Sequence, residues 1–336
     1  MPCKVSVYER PQMMRVLTSG MGFVTLLITV LLLTLWNPAI GAKGNILHPE
    51  YFSEVLIVFI FLIQGMRINI SSLSAILRKP VGSLALQAGI IMLPILWLNL
   101  AWVTGVLSKD LYGALFFTAI LPTTISSCVV YSMNAKGNAD YALGHATLSN
   151  LIAPFVIAML WTGSFQTEAT FFLLLGKIMG LVAFPCFLGW LGSRLFSFIR
   201  SLSRSDWLSG VPMLAIAFLL YLSLCDGIAL IGKNLFFKNV WIILPSCLVF
   251  VFIIHLSGWL FSGRWSKKRD IRVAQFYCLS QKSLASGIPI ASILFTDSSE
   301  KLLQHIMPLF CVHFLQLILG AVFFKPLRNW VEGGEI

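Results

Sequence analysis

Two short polar stretches interrupt apolar segments of this sequence and carry side chains suited to binding a solute. One reads LPTTISS at positions 121–127, and the other reads LSQKSLASGIP at positions 279–289. Their hydroxyl, amide and ammonium groups can bind ions or anionic solutes. Proline removes a helical N–H donor, and a broken helix inside a membrane needs protein or a water-filled cavity to satisfy its backbone. The two stretches therefore predict a buried binding site where two helices are interrupted.

The segments that carry these stretches are long enough to cross a membrane. The chain has 336 residues, of which 58% are hydrophobic and 11% charged, whereas a soluble protein carries roughly 25% charged residues. Apolar runs of about 20 residues, the length of a hydrocarbon core, predict ten spans. Their ranges are 17–36, 51–67, 81–104, 112–134, 139–163, 170–193, 209–232, 239–262, 271–296 and 302–324. The first run exceeds a signal-peptide core of about 7–15 residues, so we expect a retained helix although AIGA resembles a cleavage site.

Basic residues predict the orientation of these spans. With ten spans, 17 of the 24 lysines and arginines fall on the side of the N-terminus and five on the opposite side. Under the positive-inside rule, both termini are cytoplasmic. The bias accounts for most of the net charge of +11 without a nucleic-acid partner. We therefore expect a multi-pass protein of the plasma membrane, or of the inner membrane in a bacterium.

The two interrupted spans stand five apart in a series of ten. Five spans in each half make the second half enter the membrane in the opposite sense, which is the arrangement of inverted repeats with a midplane site at their broken helices. We predict an all-α polytopic membrane protein with one transmembrane domain over 1–336. Its two inverted five-helix repeats cover about 15–165 and 168–328, and spans 4 and 9 are discontinuous and cross.

The sequence argues against an enzyme and against a metal cluster. It contains no HExxH, no paired intramembrane aspartates and no GxSG serine motif. None of the seven cysteines forms a CxxC pair, so no disulfide framework or metal site is indicated. No cofactor is predicted apart from a coupling ion, sodium or a proton.

Three stretches resemble motifs of the sodium/bile acid cotransporter family, in its branch with SQK-S/T-LA in the ninth span. They are LPTTISS, NAKGNADYALGHATLSNLIAPF at 134–155 and SQKSLASGIP at 280–289, and the likeness covers roughly 15–328. The resemblance implies a panel of spans 1, 2, 6 and 7 and a core of spans 3–5 and 8–10. It also implies a secondary transporter of organic anions that is usually driven by sodium.

The resemblance implies a set of site residues by position. The sodium-binding serine of span 4 corresponds to Ser127 and the glutamine of span 9 to Gln281, which are the candidate sodium ligands. An asparagine, two hydroxyl residues and a glutamate of the family correspond to Cys128, Ala142, Ala146 and Tyr277. We therefore expect weak or absent dependence on sodium, with protons or the substrate gradient as alternatives. The expected substrate- and ion-binding residues are Thr123, Thr124, Ser126, Ser127, Thr147, Ser149, Asn150, Gln281, Lys282 and Ser283.

Lys282 is the residue whose position most needs a reason, because a lysine at mid-membrane costs about 2.5–3.5 kcal/mol on insertion scales. Its ammonium could bind the anionic group of a substrate. It could instead take the place of a missing sodium ion and hold the unwound carbonyls of spans 4 and 9. It could also pair with an acid such as Asp226. Ion replacement agrees best with the joint loss of a glutamate and gain of a lysine.

Four other residues have expected roles. Gln64 is expected to line a cavity between panel and core, and His145 to be a packed, hydrogen-bonded histidine. Gly176 and Gly180 form a GxxxG spacing that predicts close helix packing.

The sequence thus predicts a secondary transporter that moves a small organic anion across a lipid bilayer by alternating access. The alternative is a channel-like or regulatory membrane protein without bile acid transport. The substrate and the oligomeric state are not readable from the residues.

Overall fold

The computed structural model describes residues 20–44, 47, 49–165, 171–203, 205–264 and 266–333. In this part the chain is all helical and contains no strand, which confirms the all-α prediction. The helices in chain order are α1 Gly20–Trp36, α2 Pro49–Met66, α3 Ile70–Leu77, α4 Pro80–Val103, α5 Lys109–Ile120, α6 Ile125–Asn134, α7 Ala139–Ser164, α8 Phe171–Leu195, α9 Ser197–Ser203, α10 Asp206–Ile231, α11 Lys233–Phe261, α12 Arg269–Ser280, α13 Leu284–Leu294, α14 Ser299–Val322 and α15 Phe324–Glu332.

Capping side chains fix where several of these helices begin. Ser108 accepts a hydrogen bond from the first turn of α5, Asn138 from that of α7, and Ser298 from that of α14. Such caps satisfy backbone N–H groups that have no partner inside the helix. The starts of these spans are therefore set by local sequence.

Six of the described helices are long and apolar enough to cross a membrane, and the count is seven if the bent pair α2 and α3 is one span. The interrupted segments do not meet this criterion because α5, α6, α12 and α13 contain only 12, 10, 12 and 11 residues. The first predicted span lies partly outside the described residues. A multi-pass membrane protein is therefore shown, whereas ten spans stay a prediction.

The helices pack in two groups. Helices α1, α2, α8 and α10 pack on one another, and α4 to α7 pack with α11 to α14. The groups meet where α10 packs against α13 and α14, and where α7 packs against α8. A buried apolar cluster continues across this boundary and includes Leu220 and Leu224 of α10 with Leu303 and Ile306 of α14.

The close approach of α8 to α2 depends on two glycines. A Cβ atom on Gly189 would overlap the carbonyl oxygen of Leu62, and one on Gly65 would overlap that of Cys186. The GxxxG prediction at Gly176 and Gly180 was wrong, because a Cβ atom at either position would meet no atom within 4 Å. Spacing alone did not show which glycines of α8 face a neighbouring helix.

Three further helices do not correspond to predicted spans: α3 and α9 lie between spans, and α15 follows the last span. Helix α3 begins at the Asn69 cap and bends by 73° from α2. It packs on α7, where Gly144 lies against the main chain of Ser72. The bend positions Arg67 and Asn69 at the edge of the cavity described below.

Candidate functional site

The two unwound stretches cross and pair with each other in the second helix group. Residues 121–124 separate α5 from α6, and residues 281–283 separate α12 from α13. Thr123 and Lys282 form an antiparallel bridge, and the Ser283 amide donates to the Pro122 carbonyl over 2.9 Å. Backbone groups that lipid could not satisfy are therefore paired inside the protein. The sequence predicts unwinding near Thr123–Ser127 and Ser280–Lys282, but Ser126 and Ser127 already belong to α6 and Ser280 still belongs to α12.

Helix α7 fastens this crossing with two side chains. Ser149 Oγ accepts a hydrogen bond from the Thr123 amide over 3.2 Å, and Asn150 Nδ2 donates to the Thr123 carbonyl over 2.9 Å. Ser286 Oγ of α13 in turn donates to Asn150 Oδ1 over 2.7 Å. Asn150 thus connects both broken helices, and Thr147, one turn earlier in α7, lines the cavity beside it.

The Lys282 ammonium lies fully buried among three main-chain carbonyl oxygens. Its Nζ donates to Ile90 at 2.7 Å, to Ala119 at 2.6 Å and to Leu121 at 3.0 Å. Ile90 lacks its helical donor because the residue four positions on is Pro94, which has no N–H. Ala119 lacks its donor because the Thr123 amide is used by Ser149. The lysine therefore supplies donors that a proline and a helix break have removed.

This geometry revises the alternatives for Lys282. The expected contact with unwound carbonyls occurs at Leu121 of the span-4 segment, but it extends to α4 and to the end of α5 rather than to span 9. The pairing with Asp226 was wrong, because that carboxylate lies 3.8 Å from Lys43 Nζ. A cation at the C-terminal end of α5 is also stabilised by the negative end of that helix's dipole.

Gln316 of α14 holds the Lys282 peptide group from the other side. Its Oε1 accepts from the Lys282 amide at 2.8 Å, and its Nε2 donates to the Lys282 carbonyl at 2.7 Å. Its own carbonyl accepts from Gln281 Nε2 at 3.3 Å. Sequence reasoning missed Gln316, and its only signal was an amide within the apolar run 302–324.

The candidate sodium ligands bond each other rather than face an open site. Ser127 Oγ donates to Gln281 Oε1 over 3.2 Å, and Tyr277, at the position of the family glutamate, donates to the Gly320 carbonyl over 3.1 Å. Cys128 Sγ lies 3.8 Å from Cys278 Sγ. The Cys128 thiol and the Tyr277 phenol replace an amide and a carboxylate of the oxygen-rich set that a hard cation prefers. The residues present do not fit the family sodium site.

A cavity of about 770 Å³ lies between the two helix groups and reaches the crossing. Five of the predicted residues line it: Thr124, Ser126, Thr147, Asn150 and Ser283. The other five lie behind the crossing, away from the cavity: Thr123, Ser127, Ser149, Gln281 and Lys282. The ten predicted residues therefore belong to two layers in the structure. One layer faces the cavity, and the other supports the crossing behind it.

The opposite wall of the cavity is mainly apolar and comes from α2, α8 and α10. Phe61, Val182, Phe187 and Ile216 are among its residues, and Gln64 lines the cavity as expected. Arg67 lines it as well. A ligand would thus meet apolar side chains on one side and hydroxyl and amide groups on the other.

Helices α6 and α13 both begin at the polar wall. Thr124 and Ser126 belong to the start of α6, and Ser283 and Ser286 to the start of α13. Thr124 makes no side-chain capping bond, so the first N–H groups of α6 lack a side-chain cap. Helix N-termini attract anions through their N–H groups and their dipoles. At α13 the Ser286 amide already donates to Ser283 Oγ, so the uncapped start of α6 is the terminus better suited to an anionic group.

Comparison with known proteins agrees with this architecture. The model of the SBF-like CPA transporter family matches residues 21–329. This chain belongs to the SBF-like CPA transporter family. It is 25% identical to YfeH of Escherichia coli strain K12, whose provisional name calls it a symporter, over 92% of this chain and 93% of that one. It is 24% identical to sodium/bile acid cotransporter 7 of Danio rerio, over 93% and 95% of the two chains.

The family resemblance expected from the sequence is confirmed, and this SBF-like protein is a membrane transporter of the sodium/bile acid symporter type. Its His145 is a packed residue, as predicted: the ring is buried and Gln87 Nε2 donates to its carbonyl over 3.0 Å. His145 therefore helps to pack α7 against α4 and does not line the cavity.

Proposed function

We propose that this SBF-like transporter moves a small organic anion by alternating access through the cavity between the two helix groups. The observation that carries the proposal is the start of α6 and α13 at one polar wall of that cavity. The apolar wall opposite suits an anion with a hydrocarbon body. The name of the Danio rerio relative attaches sodium and bile acid to that protein, and a related organic anion is the chemistry we propose for this one.

The proposed architecture has ten spans in two inverted repeats. Two helices interrupted at corresponding places, α5/α6 and α12/α13, that cross through unwound residues support it. The first helix group corresponds to a panel of spans 1, 2, 6 and 7, and the second to a core of spans 3–5 and 8–10. The basic-residue bias supports cytoplasmic termini in a plasma or bacterial inner membrane.

We propose further that the side chain of Lys282 occupies the place of a missing sodium ion in this chain. Its Nζ donates to three main-chain carbonyl oxygens, which are the kind of ligand that a bound cation would take. Because four of the family's sodium ligands are replaced, transport should depend weakly or not at all on sodium. Ser127 and Gln281 then act as a support for the crossing rather than as metal ligands.

A thermal-shift screen of the purified protein against organic anions, in sodium and in choline buffers, tests both parts. A ligand that binds only the folded protein raises its free energy of unfolding by about 2.7 kcal/mol at a hundredfold excess over Kd. We expect one class of anion to stabilise equally in both buffers, and its neutral amide not to do so. Stabilisation that requires sodium would overturn the coupling proposal.

A matched pair of variants tests the location of the site. Ser126→Asp places a negative charge in the first turn of α6, where it favours the helix dipole but repels an anion in the cavity. Ser299→Asp makes the same change in the first turn of α14, away from the cavity. Anion stabilisation should be lost in the first variant and kept in the second. Equal stabilisation of both would refute an anion site at this wall.

A further inference from the structure

The two helix groups are joined at one end by a contact outside the cavity. Lys43, in the connection between α1 and α2, donates through Nζ to the Thr296 carbonyl over 3.2 Å. Asp226 of α10 accepts from the Lys43 amide through Oδ1 over 3.1 Å, and its Oδ2 lies 3.8 Å from Lys43 Nζ. We refer to Lys43, Asp226 and Thr296 as the clasp.

The clasp connects the groups across their boundary. Lys43 and Asp226 belong to the group of α1, α2, α8 and α10, whereas Thr296 follows α13 in the other group. Asp226 holds the Lys43 main chain within the first group. Within the clasp, the hydrogen bond from Lys43 to Thr296 is the contact that joins the two groups. The acceptor lies just beyond the C-terminal end of α13, where the helix dipole favours a cation.

The clasp and the cavity lie at opposite ends of two helices. On α10 the cavity is lined by Pro212, Met213 and Ile216, and Asp226 lies ten residues beyond Ile216, which is about 15 Å along a helix. On α13 the cavity is lined near Ser283, and Thr296 lies past the other end. The cavity therefore does not reach the clasp.

Packing closes the space between the cavity and the clasp. Gly227 of α10 approaches Leu303 of α14 so closely that a Cβ atom would lie 2.7 Å from either Leu303 methyl group. The side chain of Asp226 is only 13% exposed, while that of Lys43 is 42% exposed. The packing between the cavity and the clasp is therefore apolar near Leu303, and it ends at the partly exposed contact of Lys43 with Asp226.

We infer that the clasp is a gate that holds the site closed on the Asp226 side, the predicted outer side, and opens when the groups separate there. This inference rests on the alternating-access part of the proposed function. Opening breaks the Lys43–Thr296 bond and keeps the Lys43–Asp226 contact within one group. Asp226, an acid placed deep in an apolar segment, is thereby given a role in positioning Lys43.

The native Cys186 reports on the gate because it lines the cavity, while the other cysteines of the described residues are buried. Cys3 is replaced by serine in every variant. Reconstituted protein is alkylated with a membrane-impermeant thiol reagent from either side. Lys43→Met should increase the rate of Cys186 labelling from the Asp226 side about two- to fivefold, the change expected when one half-exposed charged contact is lost from a two-state equilibrium.

Two comparisons make this test specific. Lys301→Met removes a lysine from the first turn of α14, for which the described residues show no side-chain bond across the groups, and it should leave the rate unchanged. Lys43→Arg keeps the charge and should restore most of the closure. Equal labelling of Lys43→Met and Lys301→Met from the Asp226 side would overturn the gate. Failure of the anion site would show in the thermal-shift screen instead, which does not depend on labelling.

Discussion

Replacing Lys282 tests the central feature of the site. In Lys282→Met the carbonyls of Ile90, Ala119 and Leu121 lose their donor. A buried acceptor without a partner costs about 1–3 kcal/mol, so the gross loss is about 3–9 kcal/mol. Removing the ammonium also recovers its desolvation cost, which is several kcal/mol for a buried ion. Because these two contributions oppose each other, we expect the variant to fold with at most about 3 kcal/mol lower stability.

Transport should respond much more strongly than folding. For an anion about 8 Å from the ammonium and an effective dielectric constant near 20, the lost attraction is about 2 kcal/mol, or roughly 30-fold in binding. Uptake of the anion found in the thermal-shift screen is measured in proteoliposomes and normalised to folded protein. Normal uptake by Lys282→Met would show that Lys282 is not part of the site and would refute this reasoning.

Two further variants separate charge from geometry. Lys282→Arg keeps the charge, but a planar guanidinium cannot place one nitrogen among three carbonyls and overpacks the site at a cost of about 1–3 kcal/mol. Its uptake should fall as well. Lys282→Ala leaves space beside the same carbonyls, so added methylammonium should raise its thermal stability and not that of the parent protein. Absence of this rescue would argue against a cation-binding role of the carbonyls.

The other two predictions concern the hydrogen bonds of Gln316 to Lys282 at the crossing and the packing of α8 on α2 in the first helix group. Gln316→Leu leaves the buried amide of Lys282 without its acceptor, at about 1–3 kcal/mol, and leaves the Lys282 carbonyl with only His313 Nδ1 at 3.2 Å, so it should lower both thermal stability and uptake; unchanged unfolding would contradict this. Gly189→Ala should destabilise the protein by about 1–3 kcal/mol because its methyl group would overlap the Leu62 carbonyl, whereas Gly176→Ala faces open space and should be neutral or slightly stabilising. Equal melting temperatures of the two alanine variants would refute that packing.

The membrane fold and the position of the breaks could be predicted because both are local properties of the chain. Apolar length decides whether a segment can cross a bilayer, and proline with clustered hydroxyls marks where a helix is interrupted. The stretches at 121–127 and 279–289 contain the residues that cross in the structure. The same stretches carry the family motifs, so the family could be predicted as well.

The partners of the charged and polar residues were decided by tertiary structure alone. The three acceptors of Lys282 are main-chain carbonyls, which every residue has, so no side-chain pattern announces them. Pro94 was visible in the sequence, but only the packing of α4 beside α12 and α5 shows which donor replaces its missing N–H. Asp226 lies 183 positions from Lys43, and only the fold brings the two together. Local sequence thus determined where the helices break, and long-range packing determined which groups satisfy the broken ends.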